Sequence, residues 1–337
     1  MATSTSTSKP ADSAGPIAVN GPVETFGPIV VVVALLALLP LWFSDSGSMM
    51  GVITEGVVFG SYVVAFNIIF GSTGQLFLCI GALAGLGGFG SAILADRVDL
   101  PMIVAMVVAA AMAGLVGGVL SWVSVKRGLD TIFIGIVTLA FSLSFENFVL
   151  GRRDLTGGET GTFVDAGADT LLRDRVPSYY VFLALLAVFL VVFRLLQRSR
   201  IGWAFRALRD DQLAAELSGV DVAWHRIFAG VVGSTMLGFT GALVAHSGRG
   251  FVGPSTFAFG EVDVRVLVML ALGGIGSLLG PVLGSALITM IDELLIDYTQ
   301  LRLVLYGVIL IALFLRFRHG LIPALTGFAG RLLRRSD

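Results

Sequence analysis

Apolar residues fall along this chain in long blocks, separated by short polar gaps. The blocks run over Pro28–Phe43, Val52–Phe70, Leu76–Ala95, Met102–Val125, Thr131–Leu150, Ser178–Leu196, Ile227–His246, Val264–Leu272, Leu278–Ile291 and Leu303–Phe317. A helix needs about 20 apolar residues to cross the hydrocarbon core of a bilayer, and most of the blocks approach that length. The eighth and ninth are shorter and flank GGIGSLLGP, Gly273–Pro281. One long kinked helix or two short crossings both fit there. The pattern predicts an all-α polytopic membrane protein with about ten transmembrane helices.

Charge orders these crossings. Cytoplasmic loops are enriched in Lys and Arg. With both termini cytoplasmic and ten crossings, most of the 22 Lys and Arg residues fall inside. These include Lys126–Arg127, the arginines between Arg194 and Arg226, and RFRHG…RLLRR at the C-terminus. Nine crossings would throw that last cluster outside. Ten are therefore expected, with GGIGSLLGP as a tight cytoplasmic-side turn. Arg152, Arg153, Arg173 and Arg175, between Gly151 and Pro177, oppose the rule. The expected organisation is a disordered tail over 1–27, a transmembrane domain over 28–318 and a basic cytoplasmic tail over 319–337. Within the domain, residues 151–177 form an extracytoplasmic loop and 197–226 a cytoplasmic one. The Ser/Thr/Ala/Pro-rich start lacks the basic opening and A-x-A-like end of a cleaved signal peptide.

Composition then removes several classes of chemistry. Hydrophobic residues make up 56% of the chain and charged residues 13%, with one cysteine and 43 glycines. Cys79 lies in an apolar run, so no disulfide or thiolate–metal framework is expected. His225, His246 and His319 are isolated, and none has a metal-ligand partner at helical spacing. No metal site is expected. The only lysines, Lys9 and Lys126, follow no glycine-rich loop. A P-loop needs such a lysine to reach phosphates, so no nucleotide site of that kind is expected here. Glu55, Asp130 and Glu146 fall near helix ends, and no central acidic pair suggests a proton path.

Glycine spacing points to close helix packing. Gly114 and Gly118 form a GxxxG, and Gly276, Gly280 and Gly284 repeat the same step. Small residues so spaced let backbones approach in lipid, although 43 glycines also produce the motif by chance. Gly273, Gly274, Gly276, Gly280, Pro281 and Gly284 are assigned to the turn and its packing.

One polar stretch stands apart, RALRDDQLAAELSGVDVAWHR over Arg206–Arg226. A helix is expected to start near Asp210, whose carboxylate caps exposed N–H groups. Leu213, Ala214 and Leu217 share one side, with Asp211 and Glu216 elsewhere. Gly219 suits a left-handed helix end, and Asp221 suits the cap of the next helix. A short amphipathic helix, a break and a second helix make a rigid knob. It either lies on the bilayer or docks in a protein groove. The small, Ala-rich apolar face without central aromatic anchors favours the groove.

At AAELSGVDVAWHRIF the chain resembles the EAA-type loop of bacterial ATP-binding-cassette (ABC) importer permeases, with Ala215, Glu216 and Gly219 in the signature places. GLDTIFIGIVTLAFS, LTGGETG, SRIGWAFRALRDDQLAAELSGV, GFTGALVAH, GFVGPSTFAF and LGGIGSLLGPVLGSAL follow in order over roughly Gly71–Leu295. Together they resemble the branched-chain amino acid, M-like permease family. The resemblance implies a fold related to the vitamin B12 importer permease, in the bacterial inner membrane. It implies a paralogous permease subunit, two cytoplasmic ATPase subunits carrying ATP and Mg, and an extracytoplasmic solute-binding protein. The chain itself would hold no cofactor and would not be an enzyme. The loop over Ala204–Val220 would be the coupling helix, with Arg206, Arg209, Asp210, Leu213, Ala215, Glu216 and Gly219 engaging the ATPase. Solutes in the family extend from branched-chain amino acids to urea, amides and other small polar or aromatic molecules. An ion-coupled secondary carrier is the more distant alternative.

Two further sets are open on sequence. Thr138, Phe141, Ser142 and Phe145 mix hydroxyls with aromatic rings, which suits either a solute path or ordinary packing. Thr156, Gly157 and Gly158 suit a gate, a binding-protein contact or a flexible loop. FGEVDVRVL departs from the family in carrying Glu261, Asp263 and Arg265, either as a local ion-pair network or as a contact for the binding protein.

Overall fold

A computed structural model describes residues 22–295 apart from 44–45, 165–171 and 249, together with 307, 308 and 311. The expected helix over Leu303–Phe317 and the basic tail over 319–337 therefore lie almost wholly outside the described residues. So does most of the N-terminal tail, but helix α1 spans Pro22–Phe43 and takes in the last residues that had been assigned to that tail.

The apolar blocks become helices because a bilayer core offers no water to backbone N–H and C=O groups. After α1 come α2 (Gly47–Phe66), α3 (Ile80–Val98), α4 (Met102–Lys126) and α5 (Thr131–Gly151). A one-turn α6 (Arg153–Thr156) precedes α7 (Arg175–Arg198), α8 (Arg200–Asp210) and α9 (Gln212–Leu217). Then follow α10 (Val222–Ala245), α11 (Phe259–Gly273) and α12 (Gly280–Leu294). Among the described residues six helices, α1, α2, α4, α5, α7 and α10, are long and apolar enough to cross a membrane. The protein is polytopic and mostly helical.

The core is built around α10, which packs against α4 and α3, while α2 packs against α7 and α12. Glycine makes the α3–α10 crossing possible. A side chain at Gly87 would run into the Gly238 backbone, and one at Gly241 into Ala84. Gly114 and Gly118 lie against Thr235 and Val231 in the α4–α10 seam.

Two interruptions shape the molecule. Helix α2 continues as a wide turn of π-helix over Asn67–Gly71, where the chain reverses. Residues 74–79 then run without regular secondary structure, and α3 begins only at Ile80. The apolar block Leu76–Ala95 is thus not a single helix. Four apolar residues in a row carry no periodicity that separates buried helix from buried extended chain.

The second interruption is the α11–α12 hairpin. Gly274 and Gly276 take φ of 110° and 76°, conformations that side chains other than glycine rarely adopt. The backbones of Gly273 and Gly280 meet, Gly284 lies against Met269, and Pro281 opens α12. GGIGSLLGP is thus a turn between two short helices. Asn67 fastens it to the end of α2, its amide donating to Ser277 O (2.8 Å) and its oxygen accepting from Gly276 N (2.8 Å). Gln197 at the end of α7 donates to Gly276 O (3.0 Å). The turn therefore lies on the same face of the bundle as α8.

Candidate functional site

The polar stretch forms a compact knob on that face. Helix α8 is capped by Ser199, whose hydroxyl accepts from Gly202 N. It buries Gly202, Phe205 and Leu208, three residues apart, so one face of the helix rests on the bundle. Arg206 reaches back to Gln197 O (3.2 Å) and lies 4.2 Å from the centre of the Trp203 ring. Arg209 donates to Gly71 O at a long 3.5 Å.

Helix α9 is capped by Asp211, which accepts from Ala214 N (3.0 Å). Asp210, expected to be the cap, is instead the exposed last residue of α8. Two adjacent acids satisfy the same capping rule, and the turn between the helices selects the second. Only Ala215 of α9 is buried, anchoring the helix to the knob.

Gly219, at φ 85°, ends α9. Its N–H donates to Glu216 O and the Val220 N–H to Ala215 O, the paired bonds of a Schellman end. Asp221 then accepts from Trp224 N (2.9 Å) and starts α10. Both ends of α9 are thereby fixed. Its outer face presents Leu213 at 65% exposure and Leu217 at 82%, with Glu216 beside them. Arg226 donates to Gln212 Oε1 (3.0 Å), tying α10 back to α9.

The hydroxyls and rings of α5 lie elsewhere. Thr138 is buried, two turns into the helix, and its hydroxyl accepts from Leu78 N (2.9 Å) while donating to Ile134 O (2.8 Å). Thr131 donates to Gly74 O (3.1 Å). These two threonines stitch residues 74–78 to α5. Ser142 is buried too, Phe141 is half-buried, and the Phe145 ring packs at Gly85 of α3. All four residues assigned to a solute path thus take part in packing within this chain, on the α3-facing side of α5. The opposite side of α5 exposes Ile136, Val137, Leu143, Ser144 and Asn147.

At the other end of the bundle, Thr156 is buried and donates to Val149 O (2.6 Å) and Arg152 O (2.9 Å). Gly157 and Gly158 take φ of 75° and 59°. Arg97 at the end of α3 donates to Asp154 O. Thr162–Phe163 (β1) pairs antiparallel with Phe251–Val252 (β2). LTGGETG is therefore part of a folded cap over that end.

The acidic and basic residues of FGEVDVRVL separate into two functions, and sequence reasoning found neither set of partners. Asp263 is buried and accepts from Ile80 N (2.5 Å) and Gly81 N (3.1 Å), so it caps the start of α3 from α11. Arg265 pairs with Glu55 of α2 (2.9 Å) and Asp292 of α12 (2.7 Å). Glu261 is exposed at the start of α11. The partners lie far apart in sequence, at Ile80, Glu55 and Asp292, and no local spacing signals them. Among the described residues no group of three His, Cys, Asp or Glu side chains could hold a metal.

The described residues thus form a bundle of membrane-length helices with a capped polar knob on one face. Residues 48–315 match the family described as branched-chain amino acid transport system / permease component, and the chain belongs to that family. It is 27% identical over 318 residues to the high-affinity branched-chain amino acid transport system permease protein LivM of Escherichia coli, covering 86% of this chain and 74% of that one. It is 22% identical over 280 residues to the ribose import permease protein RbsC of Haemophilus influenzae, covering 81% of this chain and 84% of that one. BraD of Pseudomonas aeruginosa, another high-affinity branched-chain amino acid permease protein, is 23% identical over 258 residues, covering 70% of this chain and 81% of that one. No solved structure shows a significant match. The chain is a permease of an ABC importer and a transport component rather than an enzyme.

Proposed function

We propose that this chain is one half of the translocation path for a branched-chain or similar small amino acid, operating by alternating access. It pairs with a paralogous permease, receives solute from an extracytoplasmic binding protein, and is driven by two cytoplasmic ATPases that carry the ATP and Mg. In this reading the chain crosses the bacterial inner membrane ten times in a fold related to the vitamin B12 importer permease. Both termini and the α8–α9 knob lie in the cytoplasm.

The observation that carries the reading is α9. It is a two-turn helix fixed at both ends, with Leu213 and Leu217 exposed on its free face. A lever must be rigid to transmit force and must offer apolar contact to be gripped. Leu213, Glu216 and Leu217 form the grip, and Ala215, Gly219 and Asp211 hold it in place. Arg206, Arg209 and Asp210 flank it on α8. The solute path runs along the exposed side of α5, where Ser144 and Asn147 supply polarity among aliphatic side chains. Thr156, Gly157 and Gly158 belong to the cap that meets the binding protein.

Two variants test the coupling role. Leu213→Asp with Leu217→Asp should insert normally yet fail to retain the ATPase through mild detergent extraction. Gly219→Asp should retain the complex in part and separate ATP hydrolysis from uptake. Normal uptake in both variants sinks the proposal. The likeness to a ribose import permease gives sugar transport a specific claim. Thermal shift of the co-purified binding protein with leucine, valine and ribose decides between the two.

A further inference from the structure

Residues 73–79, between the reversal after α2 and the start of α3, alternate in burial: the odd-numbered ones are buried and the even-numbered ones half-buried. Gly74, at φ 72°, turns the chain into this stretch. The segment lies along the first two turns of α5. Thr131 donates to Gly74 O, a side chain at Gly135 would meet Leu76 and Leu78, and Thr138 accepts from Leu78 N. Positions 131, 135 and 138 fall on one stripe of a helix, so α5 meets the segment along a single edge. The segment is also tied to the knob side. Gln75 is fully buried, and its amide donates to Thr73 Oγ1 and to the main-chain oxygen of Arg226, in the first turns of α10, both at 2.9 Å. A carbonyl only accepts, which fixes the orientation of the amide. Residues 73–78 thus join the foot of α10 to α5.

Two polar atoms at this junction are buried without a hydrogen-bond partner among the described residues, Oε1 of Gln75 and Nε of Arg226. One is an acceptor and the other a donor, and their residues are already bonded to each other through Arg226 O. A buried polar group left unpaired costs free energy, and native folds rarely keep one without a reason. Arg226 meanwhile donates through Nη2 to Gln212 Oε1 of α9, and Gln212 is exposed, so water competes for that bond. The guanidinium thus holds an exposed acceptor on α9 while a dry acceptor on Gln75 stays open. We propose that Arg226 is a two-position switch. It binds Gln212 in the arrangement seen here, and it turns to Gln75 Oε1 when α9 is displaced, drawing residues 73–78 and the first turns of α5 with it. Each arrangement satisfies what the other leaves open, as a bistable element requires. Gln75 and Arg226 are positioning residues that act on the path through α5. The inference rests on the reading of α9 as the gripped helix and of α5 as a wall of the path, and it names the contact that links them.

Hydrogen exchange of the full-length chain in lipid nanodiscs tests the switch without any ATPase. Gln212→Ala frees Arg226 from α9 and should slow amide exchange over residues 72–80 by about threefold or more, as Nε closes on Gln75. The same change in a Gln75→Met chain should leave that exchange where Gln75→Met alone puts it. Unchanged or faster exchange over residues 72–80 in Gln212→Ala overturns the proposal. In the assembled importer, Gln75→Met and Arg226→Lys should each lower uptake per ATP hydrolysed about fivefold, with leucine as the solute, or ribose where the binding protein retains that instead. Lysine keeps the charge but has no Nε donor. The double variant should show the same loss of about fivefold, not the roughly twenty-five-fold of independent sites. A multiplicative loss, or unchanged coupling in either single variant, also overturns the switch. If no ATPase joins the chain, the reading of α9 fails, and the exchange result alone decides this inference.

Discussion

Asp263 shows how much a single side chain can carry inside a membrane. Its two oxygens serve the Ile80 and Gly81 amides, which would otherwise be orphan donors at a helix start. Asp263→Ala should cost roughly 1–3 kcal/mol for each amide left without a partner, read as a lower unfolding midpoint in detergent. Asp263→Asn keeps one acceptor oxygen and should recover part of the loss. His246 gives a second test at this scale. It is buried just past the end of α10, and its ring nitrogens have no hydrogen-bond partner among the described residues. Burial holds its imidazole below the ordinary value. The unfolded chain therefore takes up the proton first as pH falls, and stability declines from about pH 6.5 downward. The melting temperature should fall between roughly pH 7 and 5.5, and His246→Gln should flatten that slope. A pH-independent melting temperature in the wild type would count against the assignment.

Helices differ in how openly their sequences announce them. The α8–α9 knob was legible because caps and a glycine stop are local signals, and Asp221 and Gly219 stand where the chain pattern puts them. The cap at Asp211 rather than Asp210 shows the limit, since either acid satisfies the rule. The α11–α12 turn was legible from its glycines and proline. The late start of α3 was not, because the cause is Asp263 on another helix, 183 residues from Ile80. Thr138 stays open between path and packing on sequence for the same reason. A hydroxyl in an apolar helix reads either way until the backbone it serves is seen. The α3–α10 seam supplies the test at this scale. Gly87→Val forces apart two backbones that now touch. It should destabilise by about 1–3 kcal/mol or more, while Gly90→Ala, whose new methyl would lie 3.3 Å from that of Ala109, should cost less. Equal losses would mean that the seam is not held by close approach.

Across the whole molecule, long-range ties join what the chain order separates. Arg265 binds α2, α11 and α12 through Glu55 and Asp292, and Asn67 fixes the hairpin turn to the end of α2. The class of protein was legible from the ordered motifs, but the ties were not. The broken start of α3 has a consequence for how the chain is made. During synthesis α3 enters the membrane long before α11 exists. In that interval no carboxylate is available for Ile80 and Gly81, and of the ties to residues 74–81 only those from Thr131 and Thr138 of α5 can form. Continuing α3 back through Leu76–Cys79 would serve the two amides until α11 brings Asp263. A nascent chain arrested before α11 should carry a longer α3 than the finished protein, and cysteine accessibility scanning along residues 74–80 would record the change.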